Sequence, residues 1–308
     1  MKKIWRILKK HFISDFNLKH YSFVTLLLIG GLLFNYSLDF EDSYLDRLRG
    51  FTKFFAYLLM YLVFYILTVL SYCYWSKRVP IMGNVRFWMY SLLGLALLAL
   101  DSSMPFLYGV LEKTIPLQVR FWSFKVATNL ISFFTVFIPI VIFYFIHERD
   151  EKTIYGLQPR KFDTTPYFVM LLIMLPGIIA VSFLDSFQRQ YPMYADGGAH
   201  HYLGTGEWLT IGGYELAYGL DFVTVEFLFR GFLVIGMARF LDRGAVLATA
   251  VVYCSLHFGK PMGEAISSIF GGYILGAVAF ETRSIWGGVI VHMGIAWMME
   301  IAAFIQEF

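Results

Sequence analysis

Long apolar stretches alternate with short polar ones along almost the whole chain. A transmembrane helix needs about 20 consecutive apolar residues to cross ~30 Å of hydrocarbon. Runs of this kind recur about nine times, and the seventh and eighth are short. The pattern therefore predicts an all-α, polytopic membrane bundle of about eight to nine transmembrane helices. The runs lie near residues 21–38, 54–75, 87–105, 126–147, 166–185, 209–239, 244–258, 264–280 and 284–305.

Composition also indicates a membrane protein. Hydrophobic residues are 58% of the 308 and charged residues only 15%, whereas about a quarter of the residues of a soluble domain are charged. We therefore expect an integral membrane protein that has the lipid bilayer as a partner and does not bind nucleic acid. The two cysteines, Cys73 and Cys254, lie within apolar runs, which predicts packing residues rather than a disulfide framework.

Residues 1–20 form a separate basic segment. Its apolar side chains recur at helical spacing and its cations lie around the other face, which predicts an amphipathic helix on the cytoplasmic leaflet. A solvated charged tail is the alternative. The density of cations here favours a cytoplasmic N-terminus, in a membrane that we interpret as a cytoplasmic membrane of the bacterial type. The apolar positions are Ile4, Trp5, Leu8 and Phe12, and the cations are Lys2, Lys3, Arg6, Lys9 and Lys10.

The character of the runs changes near residue 160. Residues 21–160 are rich in Leu, Phe and Tyr, whereas residues 161–308 contain more glycine and the ionisable groups at membrane depth. We therefore divide the chain into the basic segment, an N-terminal group of transmembrane helices and a C-terminal membrane core. In that core Gly272 and Gly276 are four residues apart, a spacing that permits close helix packing but also occurs by chance.

The sixth run contains an acid and a base at membrane depth. A charge there costs at least ~2.5–3.5 kcal/mol, so such groups usually face a bundle interior and mark a site. Glu226 and Arg230 are four residues apart, which places them on one helix face in the favourable order for an ion pair. A purely structural ion pair is the alternative interpretation.

Two histidines follow in later runs. Tyr253 and His257 are four residues apart in the seventh run, and His292 lies in the ninth. Each histidine alone is typical of a hydrogen-bonded packing residue. Counting ~1.5 Å of rise per residue gives Glu226 and the two histidines comparable depths on three helices, which predicts a single polar chamber.

The order of these motifs resembles the CPBP family, which comprises the CAAX proteases and bacteriocin-processing proteins and includes type II prenyl endopeptidases. Glu-x-x-x-Arg-Gly-Phe-Leu is followed by an aromatic-x-x-x-His motif, then by Ser-Ile-Trp and a last buried His. The resemblance covers roughly residues 160–305 and implies a bundle of about eight helices with proteolytic activity. It implies that buried Glu226, with His257 and His292, activates water for peptide-bond hydrolysis, and that Arg230 and Tyr253 have supporting roles.

Two positions depart from the family pattern, so its first motif is degenerate. The first Glu of the family's Glu-Glu pair falls on Val225, and the Asn of its last motif falls on Ala296. The family credits that first Glu with activating water. Glu226 points about 100° away from Val225 in a helix, whereas Asp221, four residues before Val225, shares its face and is a further supporting candidate.

Three functional hypotheses follow. The first is an intramembrane endopeptidase of the CAAX type that cleaves a membrane-associated peptide or a prenylated protein. The second is a proteolytically silent relative that binds a peptide or protein partner, in bacteriocin immunity or regulation. The third, a transporter or channel, rests only on the buried charges. No cofactor is expected; a zinc site on Glu226, His257 and His292 is conceivable, but no His-Glu-x-x-His helix supports it.

Overall fold

The computed structural model describes residues 2–77, 79–104, 107–148, 153–158, 163–194 and 197–307. These residues fold into helices joined by short loops and contain no strand, which confirms the all-α class. The helices are α1 (Lys2–Asp15), α2 (Leu18–Leu38), α3 (Gly50–Trp75), α4 (Val85–Ser103), α5 (Leu107–Thr114), α6 (Leu117–Ser132), α7 (Ile138–His147), α8 (Thr165–Val181), α9 (Asp185–Gln188), α10 (Ala199–Leu203), α11 (Glu207–Glu226), α12 (Ala238–Leu241), α13 (Gly244–Leu256), α14 (Met262–Thr282) and α15 (Trp286–Glu307).

Nearly all of the predicted apolar runs correspond to a helix of similar extent. Within the described ranges, six helical segments are long and apolar enough to cross a membrane, α6 and α7 together forming one of them. Helices α8 and α13 are shorter apolar helices, and the sixth run corresponds to α11 and its extension through Gly236. The protein is therefore an integral membrane protein with a polytopic helical bundle.

Helix α13 can be short because it lies inside the protein. Its side chains are buried along its whole length, between α3 on one side and α14 on the other. A helix surrounded by protein does not have to match the thickness of the hydrocarbon, because its neighbours replace the lipid. This arrangement explains why α13 is only 13 residues long.

The α13–α14 interface confirms close packing at Gly272 and Gly276. A Cβ atom on Gly272 would lie 3.1 Å from Cδ1 of Tyr253, and one on Gly276 would lie 3.1 Å from Val246. Both contacts are tighter than ordinary van der Waals distances. Glycine therefore allows the two helices to approach each other beside the tyrosine of the second motif.

The N-terminal segment is helical over Lys2–Asp15, and part of its apolar face packs on protein. Ile4 in α1 is buried against Tyr167 of α8 and Leu275 of α14, whereas Trp5 is 69% exposed and Phe12 is 43% exposed. Helix α1 is therefore docked on the C-terminal helices, with its remaining apolar side chains on the surface. Its placement on the cytoplasmic leaflet stays a prediction.

Wide π-helical turns interrupt several helices. One joins α6 to α7 over Phe133–Phe137, and a longer one continues α11 over Phe227–Gly236. A third π-helical turn, Glu41–Leu45, lies between α2 and α3, and the short helices α9 and α10 lie between α8 and α11. The division proposed between residues 160 and 161 lies outside the described residues, and that division stays a prediction.

Candidate active site

Glu226 ends α11 at the point where the wide turn begins. The residue is fully buried, with 0% of its surface exposed. Its Oε1 atom lies 2.9 Å from Nη1 of Arg230 and accepts a hydrogen bond of 2.9 Å from Nδ1 of His292. Its Oε2 atom is buried and has no hydrogen-bond partner among the described residues. One carboxylate oxygen therefore carries both of these contacts.

Arg230 balances the charge of Glu226 within the wide turn. Its side chain is 2% exposed, and its guanidinium carbon lies 4.7 Å from the centre of the Tyr253 ring. Neither terminal nitrogen makes a well-directed hydrogen bond within the described part of the chain, so Arg230 is held by ion-pair and cation–π contacts. Removing one partner of such a buried pair strands the other charge, which costs ~3–5 kcal/mol.

His292 lies on α15 and uses both ring nitrogens. Because Oε1 of Glu226 accepts a hydrogen bond from Nδ1, the proton of neutral His292 is on Nδ1 and Nε2 is the acceptor. The hydroxyl of Tyr253 lies 2.9 Å from Nε2 and is its donor. The ring is therefore fixed from two sides.

His257 immediately follows the last residue of α13. Its Nδ1 atom donates to the main-chain carbonyl of Tyr253 at 2.8 Å, which makes Nε2 the acceptor nitrogen of this second imidazole. The two rings of Tyr253 and His257 are 4.5 Å apart. Both imidazoles are thus hydrogen-bonded to Tyr253, His257 to its main-chain carbonyl and His292 to its hydroxyl.

Glycine at the start of α15 makes room for the carboxylate. A Cβ atom on Gly288 would lie 1.9 Å from Oε2 of Glu226, a distance that no side chain tolerates. The same end of α15 is held by Trp286, whose Nε1 donates to the carbonyl of Leu157 at 2.8 Å. The Ser-Ile-Trp-Gly-Gly sequence therefore fixes the helix that carries His292 and leaves space for Glu226.

Five of the six predicted site residues lie together, and Asp221 points elsewhere. The Asp221 carboxylate accepts a hydrogen bond of 2.5 Å from Oγ of Ser132 on α6 and interacts electrostatically with Asp101 on α4. Asp221 is five residues from Glu226, so it lies well off that residue's helix face. Its supporting role stays a prediction that these contacts do not favour. The residues that lie together are Glu226, Arg230, Tyr253, His257 and His292.

The two positions that depart from the family pattern are apolar in their surroundings as well as in their chemistry. Val225 is partly buried and packs against the main hydrophobic core. Ala296 is 5% exposed on α15. The site therefore contains neither a carboxylate at the first position nor an amide at the second.

A second cluster of polar residues, which the motifs do not predict, lies beyond the histidines. The Tyr191 hydroxyl donates to Glu264 in the first turn of α14 at 3.1 Å, and Glu300 on α15 accepts from the amide of Met193 at 2.9 Å. Glu264 also interacts electrostatically with His292. An acid inside the ninth apolar run, at Glu300, was the available sequence signal.

Lys260 lies in the loop between α13 and α14 beside these acids. Burial lowers the pKa of its ammonium, while Glu264 and Glu300 oppose the change. The ammonium also lies 5.5 Å from the centre of the Tyr191 ring. The polar surroundings of the histidines therefore include both signs of charge.

Comparison with known proteins identifies the region that carries the site. The family model described as type II CAAX prenyl endopeptidase Rce1-like matches residues 209–298, a range that includes all five clustered residues. No curated protein and no solved structure matches this chain. Residues 209–298 are therefore similar to the Rce1-like type II CAAX prenyl endopeptidases, in agreement with the resemblance that the motif order indicated.

Proposed function

We propose that this protein is an intramembrane endopeptidase that hydrolyses a peptide bond of a membrane-associated peptide or prenylated protein. The observation that carries the proposal is the buried arrangement of Glu226, His292, Tyr253 and His257, in which hydrogen bonds fix both imidazoles. Acid–base hydrolysis needs a positioned base in a water-poor site. The match to a peptidase family over the same residues supports this chemistry.

In the proposed reaction His257 acts as the general base. Water forms a bond to the peptide carbonyl carbon while one of its protons moves to Nε2 of His257, and the carbonyl π electrons move to oxygen. As the carbon–nitrogen bond breaks, the imidazolium returns the proton to the leaving amine nitrogen. Glu226, buried behind His292 and occupied on Oε1, contributes its charge through His292 rather than by contact with the water.

We propose that the reaction needs no metal ion. Zinc on His292 would have to displace either Glu226 or Tyr253, because both ring nitrogens already have partners. In the described residues, three metal-capable ligand atoms come within 4.8 Å of one another at Glu41, Asp42 and Asp46, in the segment between α2 and α3. Cleavage that persists in excess EDTA is the expected result, and a loss that zinc restores would contradict it.

The test is cleavage by the full-length protein in lipid nanodiscs. The probe is a fluorogenic peptide ending in a farnesylated Cys-a-a-X sequence, beside the same peptide without the lipid. We expect His257→Ala to lower kcat roughly 10²-fold or more and Glu226→Gln to lower it as well. His201→Ala, which changes an exposed histidine on α10, is the matched control. Equal rates in all variants, or cleavage by none, would overturn the proposal.

The second candidate is the proteolytically silent relative, which binds a peptide or protein in bacteriocin immunity or regulation. The complete burial of Glu226, together with the apolar Val225 packed against the hydrophobic core, favours it. Val225→Glu would then create cleavage in a protein that had none, by restoring a second acid. Cleavage by the wild-type protein would exclude this candidate.

A further inference from the structure

Tyr253 contacts both histidines through different atoms. Its side-chain hydroxyl donates to Nε2 of His292 at 2.9 Å, and its main-chain carbonyl accepts from Nδ1 of His257 at 2.8 Å. A single residue of α13 therefore makes a hydrogen bond to one nitrogen of each imidazole. The spacing of the second motif predicts only that Tyr253 is the aromatic residue four positions before His257.

The environment of the Tyr253 ring leaves it little freedom. The guanidinium of Arg230 covers one face at 4.7 Å, and the ring of Phe229 meets it edge-on at 5.0 Å. Gly272 brings the backbone of α14 against the ring, because a Cβ there would lie 3.1 Å from Cδ1. Packing thus fixes the position of the Tyr253 ring, and its hydroxyl can therefore orient the ring of His292.

Exposure separates the role of Tyr253 from that of a reacting group. Tyr253 is 5% exposed, whereas the side chain of His292 is 17% exposed. The tyrosine is therefore the deeper of the two and supports the imidazole from behind. A group in this place orients a neighbour and does not itself meet the substrate.

We propose that Tyr253 is a positioning residue that sets the tautomer and orientation of both histidines, through its hydroxyl for His292 and its carbonyl for His257. As regards catalysis, the proposal rests on the proposed function. The hydroxyl is the part that this chain adds, because phenylalanine at the same position would keep the ring and the carbonyl. Neutral His292 with Nδ1 protonated is the state that Glu226 and Tyr253 select together.

The experiment compares Tyr253→Phe with Tyr273→Phe in full-length protein in nanodiscs. Tyr273 on α14 is the matched control, since its hydroxyl is 2.9 Å from the Tyr21 hydroxyl and it has no part in the site. The first measurement is nitrogen-15 NMR of ring-labelled histidine, with the His292 signals assigned by their loss in His292→Asn. The second is cleavage of the farnesylated peptide.

We expect Tyr253→Phe to move the nitrogen-15 signal of His292 Nε2 toward the value of an imidazole nitrogen that accepts no hydrogen bond. Tyr273→Phe should leave that signal unchanged. In the cleavage assay, Tyr253→Phe should lower kcat about tenfold with KM unchanged within about twofold, because the variant alters the imidazoles and not the binding surface. A residue that only packs would move neither quantity.

The two measurements distinguish failure of this proposal from failure of the proposed function. An unchanged Nε2 signal in Tyr253→Phe overturns the positioning role whatever the cleavage result. A changed signal in a protein whose wild type cleaves neither peptide supports the link to His292 and counts against the peptidase. Equal kcat for wild type and Tyr253→Phe, with active wild type, overturns the catalytic part.

Discussion

Among single residues, Glu226 depends most strongly on the shape of its surroundings. Its carboxylate fits between α11 and α15 only because position 288 has no side chain, since Oε2 would lie 1.9 Å from a Cβ there. Both the ion pair with Arg230 and the hydrogen bond to His292 are made by the other oxygen. A small change at Gly288 must therefore disturb both contacts.

We predict that Gly288→Ala destabilises the protein by about 1–3 kcal/mol, the usual cost of overpacking, and lowers cleavage. The added methyl group would push the carboxylate away from His292. The measurement is the midpoint of thermal unfolding in detergent together with the peptide assay. Gly271→Ala is the control, because a Cβ at that position meets nothing within 4 Å. Equal effects of the two substitutions would contradict the prediction.

The buried charges of Glu226 and Arg230 should depend on each other. We predict that Glu226→Gln alone lowers the free energy of unfolding by ~3–5 kcal/mol, because it strands the guanidinium. The double variant Glu226→Gln with Arg230→Met should recover much of that loss, since no unpaired charge remains. A double-mutant cycle of thermal unfolding measures the coupling. Additive losses would show that the pair is not coupled in this way.

At the scale of elements, the α13–α14 interface holds the tyrosine of the site in place. We predict that Gly272→Leu separates these helices, because its Cβ already lies 3.1 Å from Cδ1 of Tyr253 and 3.4 Å from the Cα of Ala250. Unfolding should occur at a lower temperature and cleavage should fall. Gly271→Leu, one residue away and facing open space, is the matched control. A stable, active Gly272→Leu variant would refute the importance of this contact.

The sequence predicted helices well and predicted irregular turns poorly. Apolar length identified nearly all of the helices, because water-free hydrocarbon leaves few alternatives to the helix. Apolar length also places His257 within the seventh run, whereas α13 ends at Leu256 and His257 is the residue after it. The wide turn after Glu226 was not predicted either, because bonds from residue i to i+5 leave no distinct hydrophobic period.

The sequence predicts those site residues that belong to a motif, because the order of the motifs indicates which residues lie together. Glu226, Tyr253, His257 and His292 lie together as their order indicated, because each lies on a helix, or directly after one, whose depth could be counted from its ends. The direction of Asp221 was not predictable, since Ser132, its partner, lies on a helix that no motif connects to it. Glu300 was overlooked because its partner is a main-chain amide in a loop, which leaves no trace in side-chain spacing.

At the scale of the whole molecule, the N-terminal and C-terminal helices share one hydrophobic core. Phe64 of α3 meets Phe258 edge-on at 5.6 Å, and the Tyr72 ring lies where a Cβ on Gly244 would be. We predict that residues 161–308 expressed alone aggregate in detergent, and that co-expression of residues 1–160 restores a monodisperse protein. Size-exclusion chromatography measures both. A monodisperse, helical C-terminal fragment would contradict the prediction.

The segment between α2 and α3 makes the stability of the whole protein depend on pH. Burial raises the pKa of Glu41 from 4.5 to about 7. Because the folded protein holds this proton more tightly than the unfolded chain does, the free energy of unfolding falls as pH rises from about 4.5 to about 7. We expect Tm to fall by about 2–4 °C over that range, the shift that ~1 kcal/mol produces in domains of 150–250 residues.

Glu41→Gln should remove this decrease, because the amide cannot ionise. Asp39→Asn, at an exposed position nearby, should leave the decrease in place. Thermal unfolding in detergent between pH 4.5 and pH 8 measures all three proteins. A decrease of the same size in Glu41→Gln would assign the pH dependence to another group.

The docking of α1 has a consequence for biosynthesis. Ile4 belongs to the same small cluster as Leu275 and Val291, which the ribosome adds more than 250 residues later. Helix α1 therefore lacks the part of its packing surface that α14 and α15 provide until these two helices have been made. During that interval the five cations and the Trp5 side chain of α1 can rest at the membrane surface, and α1 reaches its final position only after α14 and α15, which follow it in the sequence.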